Sequence, residues 1–282
     1  MQSVVIGAGT MGCGIAEVLL KAGHPTQLID RTGELVAAGQ QRIEQSLQKA
    51  VARGKLTPDQ QQQALQLLDV SSLEVTRAEL VIEAAFEDLQ VKKELLAPLS
   101  LRFPEAILAS NTSSLSLTEM AAACHHPERV IGLHFFNPPP VMELLEVVRA
   151  EQTGQATLER ALELARHWGK TPIVVKDVPG FASSRLGIIL GMEAIRMLES
   201  GVASARDIDR AMELGYRHPM GPLKLTDLVG LDVRLAIAEH LCKEVGPQFA
   251  PPPLLRRLVR AGRLGKKTGH GFYRWEGNEA LE

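Results

Sequence analysis

Cysteine is scarce in this chain, and its spacing excludes two common roles of cysteine. The 282 residues contain 3 cysteines, Cys13, Cys124 and Cys242, which lie far apart. An odd number at wide spacing gives neither the paired pattern of a structural zinc site nor a disulfide framework. We therefore predict no metal site, free thiols and a reducing, cytoplasmic environment.

The sequence also lacks an excess of positive charge and any long apolar run. Lys and Arg number 31 against 33 Asp and Glu, a formal net charge of −2, which argues against nucleic acid as a partner. No run of about 18 apolar residues occurs, so we expect no membrane-spanning helix. The first residues, MQSVVIGAG, lack the basic and apolar regions of a signal peptide.

Apolar residues make up 45% of the chain, and their pattern changes once along it. Up to about Asp177, short β-branched runs alternate with amphipathic stretches, which is typical of a parallel sheet covered by helices. Beyond it, helical periodicity dominates. We predict an α/β fold with a Rossmann-type dinucleotide-binding domain over 1–177 and a smaller all-α domain over 178–282. A Gln-rich stretch near 33–68 is interpreted as two helices inserted into the first domain.

Strands of the first domain are predicted where β-branched and apolar runs are bounded by turn residues. They are Ser3–Ile6, Thr26–Ile29, Leu80–Ile82, Ala106–Leu108, Val130–His134, Leu144–Val148 and Pro172–Val175. A helix from about Met11 to Lys21 follows the first strand, and one from about Thr157 to Trp168 precedes the last.

A glycine-rich turn follows the first strand. Gly7, Gly9 and Gly12 form the pattern G-x-G-x-x-G, which opens a helix. The first glycine permits a tight turn, the second lets the backbone approach a pyrophosphate, and the third permits close packing of helix on strand. The position between a strand and a helix is the context that a dinucleotide-binding turn requires.

The residues around this turn favour NAD as the cofactor. Thr10 and Met11 lie at the helix N-terminus, whose free N–H groups and partial positive charge attract a phosphate. Asp30, at the end of the next strand, suits a ribose hydroxyl and repels a 2′-phosphate. The adjacent Arg31 weakens this preference for NAD over NADP, and a glycine-rich turn without ligand is the alternative.

His134 ends a predicted strand and precedes the rigid loop FFNPPP. Ligands of α/β proteins bind at the carboxyl ends of parallel strands, and an imidazole suits general base catalysis near neutral pH. A single histidine is more often structural. Glu146, on the following strand, would orient the imidazole if the two side chains met, and spacing alone leaves that contact open.

The sequence resembles the 3-hydroxyacyl-CoA dehydrogenase family over essentially its whole length. Segments that carry the resemblance are GAGTMGCGIA, VIEAAFEDLQVKKELL, SNTSSLS, HFFNPPPVMELLEV, DVPGF, HPMGPLKLTDLVGLD and GRLGKKTGHGFY. The resemblance implies hydride transfer between NAD and C3 of a 3-hydroxyacyl-CoA or 3-ketoacyl-CoA. A short chain is expected, as in 3-hydroxybutyryl-CoA and acetoacetyl-CoA. A role in fatty acid or butanoate metabolism is expected, and polyester metabolism and aromatic degradation stay open as alternatives.

The resemblance also implies roles for individual residues near the reaction. His134 resembles the catalytic base and Glu146 its charge partner. Ser113 matches a serine that contacts the substrate near its reacting carbonyl, and Asn137 an asparagine beside the nicotinamide. A polar turn that caps the next helix is the structural alternative for the segment around Ser113.

Further matches concern the cofactor and CoA. Glu87, Lys92 and Lys267 match residues that contact the cofactor; an exposed charge pair and a solvated tail lysine are the alternatives. Candidates for contact with CoA are Ser46, Arg53 and Lys55. The family has lysine where this chain has Arg53, and Lys55 is close by. Either Arg53 or Lys55 can bind a CoA phosphate, and arginine offers the wider, bidentate fork.

One position departs from the family pattern. Ser184 stands in PGFASSRL, where the family usually has an asparagine that contributes to the substrate site. Serine keeps a hydroxyl but loses the amide, which predicts reduced turnover or an altered acyl substrate rather than loss of activity.

Two other functions stay open. One is an NAD-linked hydroxyacid dehydrogenase of the L-gulonate type, which needs no CoA site. The other is a non-catalytic NAD-binding protein, against which the four candidate catalytic residues argue. The resemblance further implies a homodimer joined through the C-terminal domain.

Overall fold

A computed structural model describes residues 1–71 and 77–281. The chain divides into two compact units, Met1–Val178 (the N-terminal unit) and Pro179–Glu282 (the C-terminal unit). In the described ranges, no helix has both the length and the apolar character that crossing a membrane requires.

The N-terminal unit is an eight-stranded sheet with helices between its strands. Its strands are β1 (Ser3–Ile6), β2 (Thr26–Ile29), β3 (Leu68–Asp69), β4 (Leu80–Glu83), β5 (Ile107–Ser110), β6 (Val130–Phe135), β7 (Leu144–Arg149) and β8 (Thr171–Lys176). Its helices are α1 (Thr10–Lys21), α2 (Gly33–Ala52), α3 (Pro58–Gln66), α4 (Leu89–Arg102), α5 (Leu117–Ala122) and α6 (Gln155–His167). The strand order β3-β2-β1-β4-β5-β6-β7-β8 confirms the predicted Rossmann-type α/β domain.

One part of the sheet departs from the expected parallel arrangement. The strands from β3 to β6 run parallel, but β7 pairs antiparallel with β6, and β8 runs parallel to β7. The loop 136–143 that joins β6 to β7 is shorter than the dozen or so residues that a parallel crossover needs. The chain therefore reverses at this loop, and the end of β6 lies beside the start of β7.

The Gln-rich stretch forms α2 and α3. Gly54 has a φ of +67°, which suits the turn between them. Thr57 then caps α3: its hydroxyl accepts the N–H of Gln60, whose side chain accepts the N–H of Thr57 in return. Apolar residues on one face of α2, such as Ile43 and Leu47, join the core of the N-terminal unit.

The C-terminal unit is mostly helical, as predicted. Its helices are α7 (Ser183–Glu199), α8 (Ala205–Arg210), α9 (Pro222–Val229), α10 (Leu231–Glu244) and α11 (Pro253–Arg260). The expectation of a purely helical domain needs one correction, because β9 (Arg274–Glu276) and β10 (Glu279–Leu281) form an antiparallel hairpin. Gly277, with a φ of +59°, lies in its turn and provides the left-handed conformation that such turns use.

Candidate active site

The glycine-rich turn between β1 and α1 has no room for side chains at two of its three glycines. Gly7 has a φ of +107°, and a Cβ atom there would lie 2.6 Å from the carbonyl oxygen of Ala84. A Cβ atom at Gly12 would lie 1.7 Å from the carbonyl oxygen of Gly7, because α1 packs directly on the turn. At Gly9, no described atom lies within 4 Å of the Cβ position. The first and third glycines thus permit close backbone packing, and the second leaves an open face.

The open face lies at the N-terminus of α1. Gly9 is the N-cap residue and makes no side-chain capping bond, so no N-cap side chain occupies the N–H groups of the first turn. Thr10 is exposed there and Met11 is half-buried. Uncapped N–H groups and the helix dipole together suit a pyrophosphate, which is an observation in favour of a dinucleotide.

Both backbone polar groups of Ala8 form hydrogen bonds with side chains. Its N–H donates to Oδ2 of Asp30 over 2.7 Å, and its carbonyl oxygen accepts from Nη1 of Arg42 over 2.8 Å. A cavity of about 1310 Å³ opens from this turn, with Asp30, Arg31 and Arg42 in its wall. The carboxylate predicted for a ribose therefore lies beside the glycine-rich turn, together with a cation on α2.

A buried ion-pair cluster lies at the ends of β4 and β5. Nζ of Lys92, on α4, lies 2.6 Å from Oε1 of Glu83 and 3.3 Å from Oε2 of Glu87. Glu83 and Lys92 are 0% and 1% exposed, which rules out an exposed surface pair for Lys92. Oε2 of Glu83 also accepts from the Ser110 hydroxyl over 2.6 Å.

Glu87 connects this cluster to the turn that contains Ser113. Its Oε1 accepts from the hydroxyl of Thr112 over 2.6 Å and from the backbone N–H of Ser113 over 2.9 Å. Burial raises the pKa of Glu87, but the charge of Lys92 and the hydrogen bonds from Thr112 and Ser113 outweigh it, so the pKa lies below its ordinary value. Glu87 therefore stays ionised and holds Ser113 in place.

His134 and Glu146 meet across the β6–β7 pair. They are directly opposite in the register, and Nδ1 of His134 lies 2.7 Å from Oε2 of Glu146. Glu146 is 0% exposed and His134 is 7% exposed. A buried carboxylate at Nδ1 favours the tautomer with its proton on Nδ1, so that Nε2 carries the lone pair.

The proline-rich loop after His134 is held against α1. Pro139 packs so closely on Gly14 that a Cβ atom at Gly14 would lie 2.7 Å from its ring. Nζ of Lys170 donates to the carbonyl oxygens of Pro139 over 2.6 Å and Met142 over 2.8 Å. Asn137, on the same loop, is exposed. The loop that carries Asn137 is therefore attached both to the helix of the glycine-rich turn and to the residue before β8.

The remaining candidates lie apart from these clusters in the chain. Ser46 is half-buried on α2, whereas Arg53 and Lys55 are exposed at the end of α2. In the C-terminal unit, Ser184 lies in the first turn of α7 and Nζ of Lys267 lies 2.6 Å from Oδ1 of Asp232.

Two family models match the chain. One, described as the NAD binding domain of 3-hydroxyacyl-CoA dehydrogenase, matches residues 2–178, and the other, its C-terminal domain, matches residues 180–275. The chain belongs to the 3-hydroxyacyl-CoA dehydrogenase family. Membership confirms the resemblance found in the sequence and, through the match to the NAD binding domain, NAD as the cofactor.

Relatives within the family match almost end to end. The 3-hydroxybutyryl-CoA dehydrogenase of Mycobacterium tuberculosis is 46% identical over 275 residues, which cover 95% of this chain and 96% of the relative. Mitochondrial hydroxyacyl-coenzyme A dehydrogenase of Sus scrofa is 42% identical, over 96% of this chain and 90% of its own. The crystal structure of (S)-3-hydroxybutyryl-CoA dehydrogenase PaaH1 from Ralstonia eutropha superposes with a TM-score of 0.93 at 38% identity, over 98% and 99% of the two chains.

Sequence reasoning missed several polar residues that hold this family site together. Glu83 anchors Lys92, Arg42 holds the glycine-rich turn, and Lys170 holds the proline-rich loop. For Glu83 a signal existed, because a carboxylate that ends the apolar run Leu-Val-Ile must be paired if the strand is buried. Arg42 and Lys170 carry no comparable local pattern.

Proposed function

We propose that this protein is an NAD-dependent dehydrogenase that interconverts the C3 hydroxyl and C3 ketone of a short-chain 3-hydroxyacyl-CoA. The observation that carries the proposal is the buried His134–Glu146 pair, with 2.7 Å between Nδ1 and Oε2, at the carboxyl end of β6. This arrangement supplies a general base in a chain of the 3-hydroxyacyl-CoA dehydrogenase family. Relatives named 3-hydroxybutyryl-CoA dehydrogenase support a short acyl chain.

The N-terminal unit has the features that NAD requires. The turn Gly7–Gly12 would hold the pyrophosphate through the N–H groups at Thr10 and Met11, and Asp30 would accept the ribose hydroxyls. Acceptance of the C3 hydrogen as hydride is the chemistry that NAD supplies when bound.

His134 removes the proton of the C3 hydroxyl through Nε2, and returns it in the reverse reaction. Glu146 stabilises the imidazolium that forms, and because it lies at Nδ1 it keeps Nε2 as the basic nitrogen. The pair acts without rearrangement, since both side chains are buried on paired strands.

Ser113 donates a hydrogen bond to the C3 oxygen, and Asn137 positions the nicotinamide. Glu87 positions Ser113 for this role, because it accepts the backbone N–H of Ser113 over 2.9 Å. The hydroxyl of Ser113 has a single proton and donates it to Glu87 over 3.2 Å, so it exchanges this bond for one to the C3 oxygen when the substrate binds. Lys92 fixes Glu87 from the buried side. Glu87 and Lys92 thus assist the binding of cofactor and substrate by holding the turn that contains Ser113. Lys267, in the C-terminal segment, is our further candidate for a contact with the cofactor.

The CoA moiety binds near the helical insertion. Ser46 and the exposed cations Arg53 and Lys55 are our candidates for its polar and phosphate groups, and Ser184 is our candidate for an acyl contact. We further propose that 1–177 is the NAD-binding domain, that 178–282 is the substrate and dimerisation domain, and that the enzyme is a cytoplasmic homodimer. Its pathway role is short-chain fatty acid and butanoate metabolism.

NADH oxidation with acetoacetyl-CoA tests this function directly. We expect rapid loss of NADH absorbance with the CoA ester, and little with free acetoacetate or with NADPH. Turnover of free acetoacetate alone would instead favour a hydroxyacid dehydrogenase. Tight NADH binding without turnover of any acyl-CoA would contradict the proposal and favour a non-catalytic protein.

A further inference from the structure

Arg234, on α10, is a cation buried within the C-terminal unit. It is 6% exposed, and its Nε is buried with no hydrogen-bond acceptor among the described residues. Burial lowers its pKa to about 10, and no carboxylate of the described chain acts to raise it. Arg196, on α7, provides a contrast, because its guanidinium donates to the carbonyl oxygens of Ala250 over 2.8 Å and Gln248 over 3.3 Å.

A buried guanidinium N–H without an acceptor is unfavourable, and proteins rarely retain one without a reason. Buried charges are normally paired, and buried N–H groups normally have acceptors. Arginine has five N–H donors and stays charged near neutral pH, even with a pKa of about 10. Such a group is suited to bind the oxygen atoms of a ligand, which would supply the acceptor that the described chain does not provide.

The guanidinium faces one side of α7. A Cβ atom at Gly187 would lie 3.2 Å from Nη1 and 3.9 Å from Nη2 of Arg234, so the absence of a side chain at Gly187 makes room for the cation. Ser184 precedes Gly187 by three residues and therefore lies on the same helix face, one turn away. Arg234 thus lies next to the part of α7 that contains the proposed acyl contact.

We propose that Arg234 is a substrate-binding residue whose guanidinium donates to an oxygen of the acyl thioester bound at the Ser184 face. This inference rests on the proposed function and adds a residue to its substrate site. Ser184 offers a single hydroxyl donor, whereas Arg234 offers several N–H donors and a positive charge. The cation stabilises the partial negative charge of a carbonyl oxygen, so it assists both binding and turnover.

Arg234→Met tests this role against a purely structural one. We expect kcat/KM for acetoacetyl-CoA to fall about 10- to 100-fold, as for loss of a charge-assisted hydrogen bond, with KM for NADH unchanged. The Tm should stay equal or rise, because the variant removes an uncompensated buried charge. Arg196→Met is the matched control: its arginine has partners, so Tm should fall while kcat/KM stays within about twofold.

A rescue variant sharpens the test. Ser184→Asn adds an amide to the same helix face, and in the Arg234→Met background it should restore part of the lost kcat/KM. Unchanged kcat/KM in Arg234→Met would overturn the proposal, and so would a lower Tm with full activity per folded molecule. Loss of a dimer in size-exclusion chromatography with unchanged activity would overturn it too, by assigning the arginine to a contact between copies.

A binding measurement separates this inference from the proposed function. Acetoacetyl-CoA is titrated by calorimetry into wild-type protein and Arg234→Met. If wild type binds the ester at least about tenfold more tightly than the variant, Arg234 is a ligand contact even if no turnover occurs. Equal affinities would reject the role of Arg234 whether or not wild type oxidises NADH.

Discussion

The two units of the molecule treat buried charge differently. In the N-terminal unit, buried carboxylates meet a cation or an imidazole, as in Glu83–Lys92 at 2.6 Å and Glu146–His134 at 2.7 Å. In the C-terminal unit, Asp209 and Asp227, both 0% exposed, are held mainly by hydrogen bonds. The difference concerns carboxylates: those named in the N-terminal unit face a cation or an imidazole, whereas those in the C-terminal unit accept mainly neutral N–H and O–H groups.

Asp227 illustrates the second case. It accepts the backbone N–H groups of Phe272 over 2.9 Å and Tyr273 over 3.0 Å, and Nε1 of Trp275 over 2.8 Å. Burial raises the pKa of Asp227 and the hydrogen bonds oppose this increase without cancelling it. The carboxylate therefore holds the C-terminal segment against α9.

The largest effect should come from the imidazole of the N-terminal unit. His134→Ala removes the general base and should lower kcat/KM for acetoacetyl-CoA by about 10²- to 10⁴-fold, with NADH affinity retained. Steady-state kinetics and an NADH titration measure the two effects. His125→Ala, which changes an exposed histidine of a loop, is the control and should match wild type. Near-normal turnover in His134→Ala would show that the buried His134–Glu146 pair does not act in catalysis.

The buried ion pair should come next. Lys92→Met leaves Glu83 charged and unpaired, which is expected to lower the free energy of unfolding by about 3–5 kcal/mol. Glu83→Gln/Lys92→Met should recover part of this loss, because it removes the unpaired charge of the fully buried Glu83 and leaves only the partly exposed Glu87 without Lys92. The measurement is Tm by calorimetry.

Lys93→Met is the matched control for that pair. Lys93 lies one residue along α4 and 3.6 Å from Glu119, in a pair that is partly exposed. Such a pair contributes about 1 kcal/mol or less. If Lys92→Met and Lys93→Met lowered the free energy of unfolding equally, burial would not make the Glu83–Lys92 pair more important for stability than a partly exposed pair.

A smaller effect is expected at the proline-rich loop. Lys170→Met deprives the carbonyl oxygens of Pro139 and Met142 of their donor, so the loop that carries Asn137 loosens. We expect kcat to fall about tenfold with little change in KM for acetoacetyl-CoA, as for a lost hydrogen bond to charge. Lys170→Arg should restore part of the activity.

Lys21→Met is the control for Lys170. Nζ of Lys21 lies 3.8 Å from Glu17, and the charges of both Lys21 and Glu17 influence the pKa of Lys170. Because Lys21 makes no bond to the loop in the described structure, its loss should leave kcat unchanged. A fall in Tm with normal kcat in Lys170→Met would show a structural role alone.

Most of the N-terminal sheet was predictable because its strands are fully buried. Such strands are continuous β-branched runs bounded by turn residues, as at Ser3–Ile6 and Thr26–Ile29, which the structure reproduces. The reversal at the proline-rich loop was not predicted, so the pairing of His134 with Glu146 stayed a hypothesis until the register was known. Local pattern defines elements, but a strand register is a tertiary property.

Residues that act through distant partners escaped prediction for the same reason. Lys170 bonds a loop 28 to 31 positions away, and Asp227 bonds a segment 45 to 48 positions away. No periodicity relates such positions, and a buried charge is recognisable from sequence only where it interrupts an apolar strand, as at Glu83. The glycine-rich turn was predictable because the three glycines that define it are neighbours in sequence.

The smallest expected effect concerns Tyr273, which bonds to a buried carboxylate of the C-terminal unit. It is 3% exposed and its hydroxyl donates to Oδ2 of Asp209 over 2.8 Å. Burial, and then the hydrogen bond to Asp209, raise the pKa of Tyr273 above its ordinary value. An unfolded tyrosine ionises at about pH 10, whereas the folded protein keeps Tyr273 protonated at that pH. Below about pH 10 the phenol is protonated in both states, and the stability that its hydrogen bond provides is fully present. As the pH rises above about 10, ionisation favours the unfolded state, and this stability is lost.

An ultraviolet titration of tyrosinate tests this behaviour. The chain has 2 tyrosines, so Tyr216→Phe leaves Tyr273 as its single phenol. We expect its ionisation above about pH 10, together with the loss of helical circular dichroism. Tyr273→Phe in the same background should abolish the absorbance step and flatten the fall of Tm with alkaline pH. The hydroxyl of Tyr273 donates to the buried carboxylate of Asp209, so loss of its proton would place two negative charges side by side. Ionisation of Tyr273 near pH 10 in a fully folded protein would therefore contradict this buried hydrogen bond.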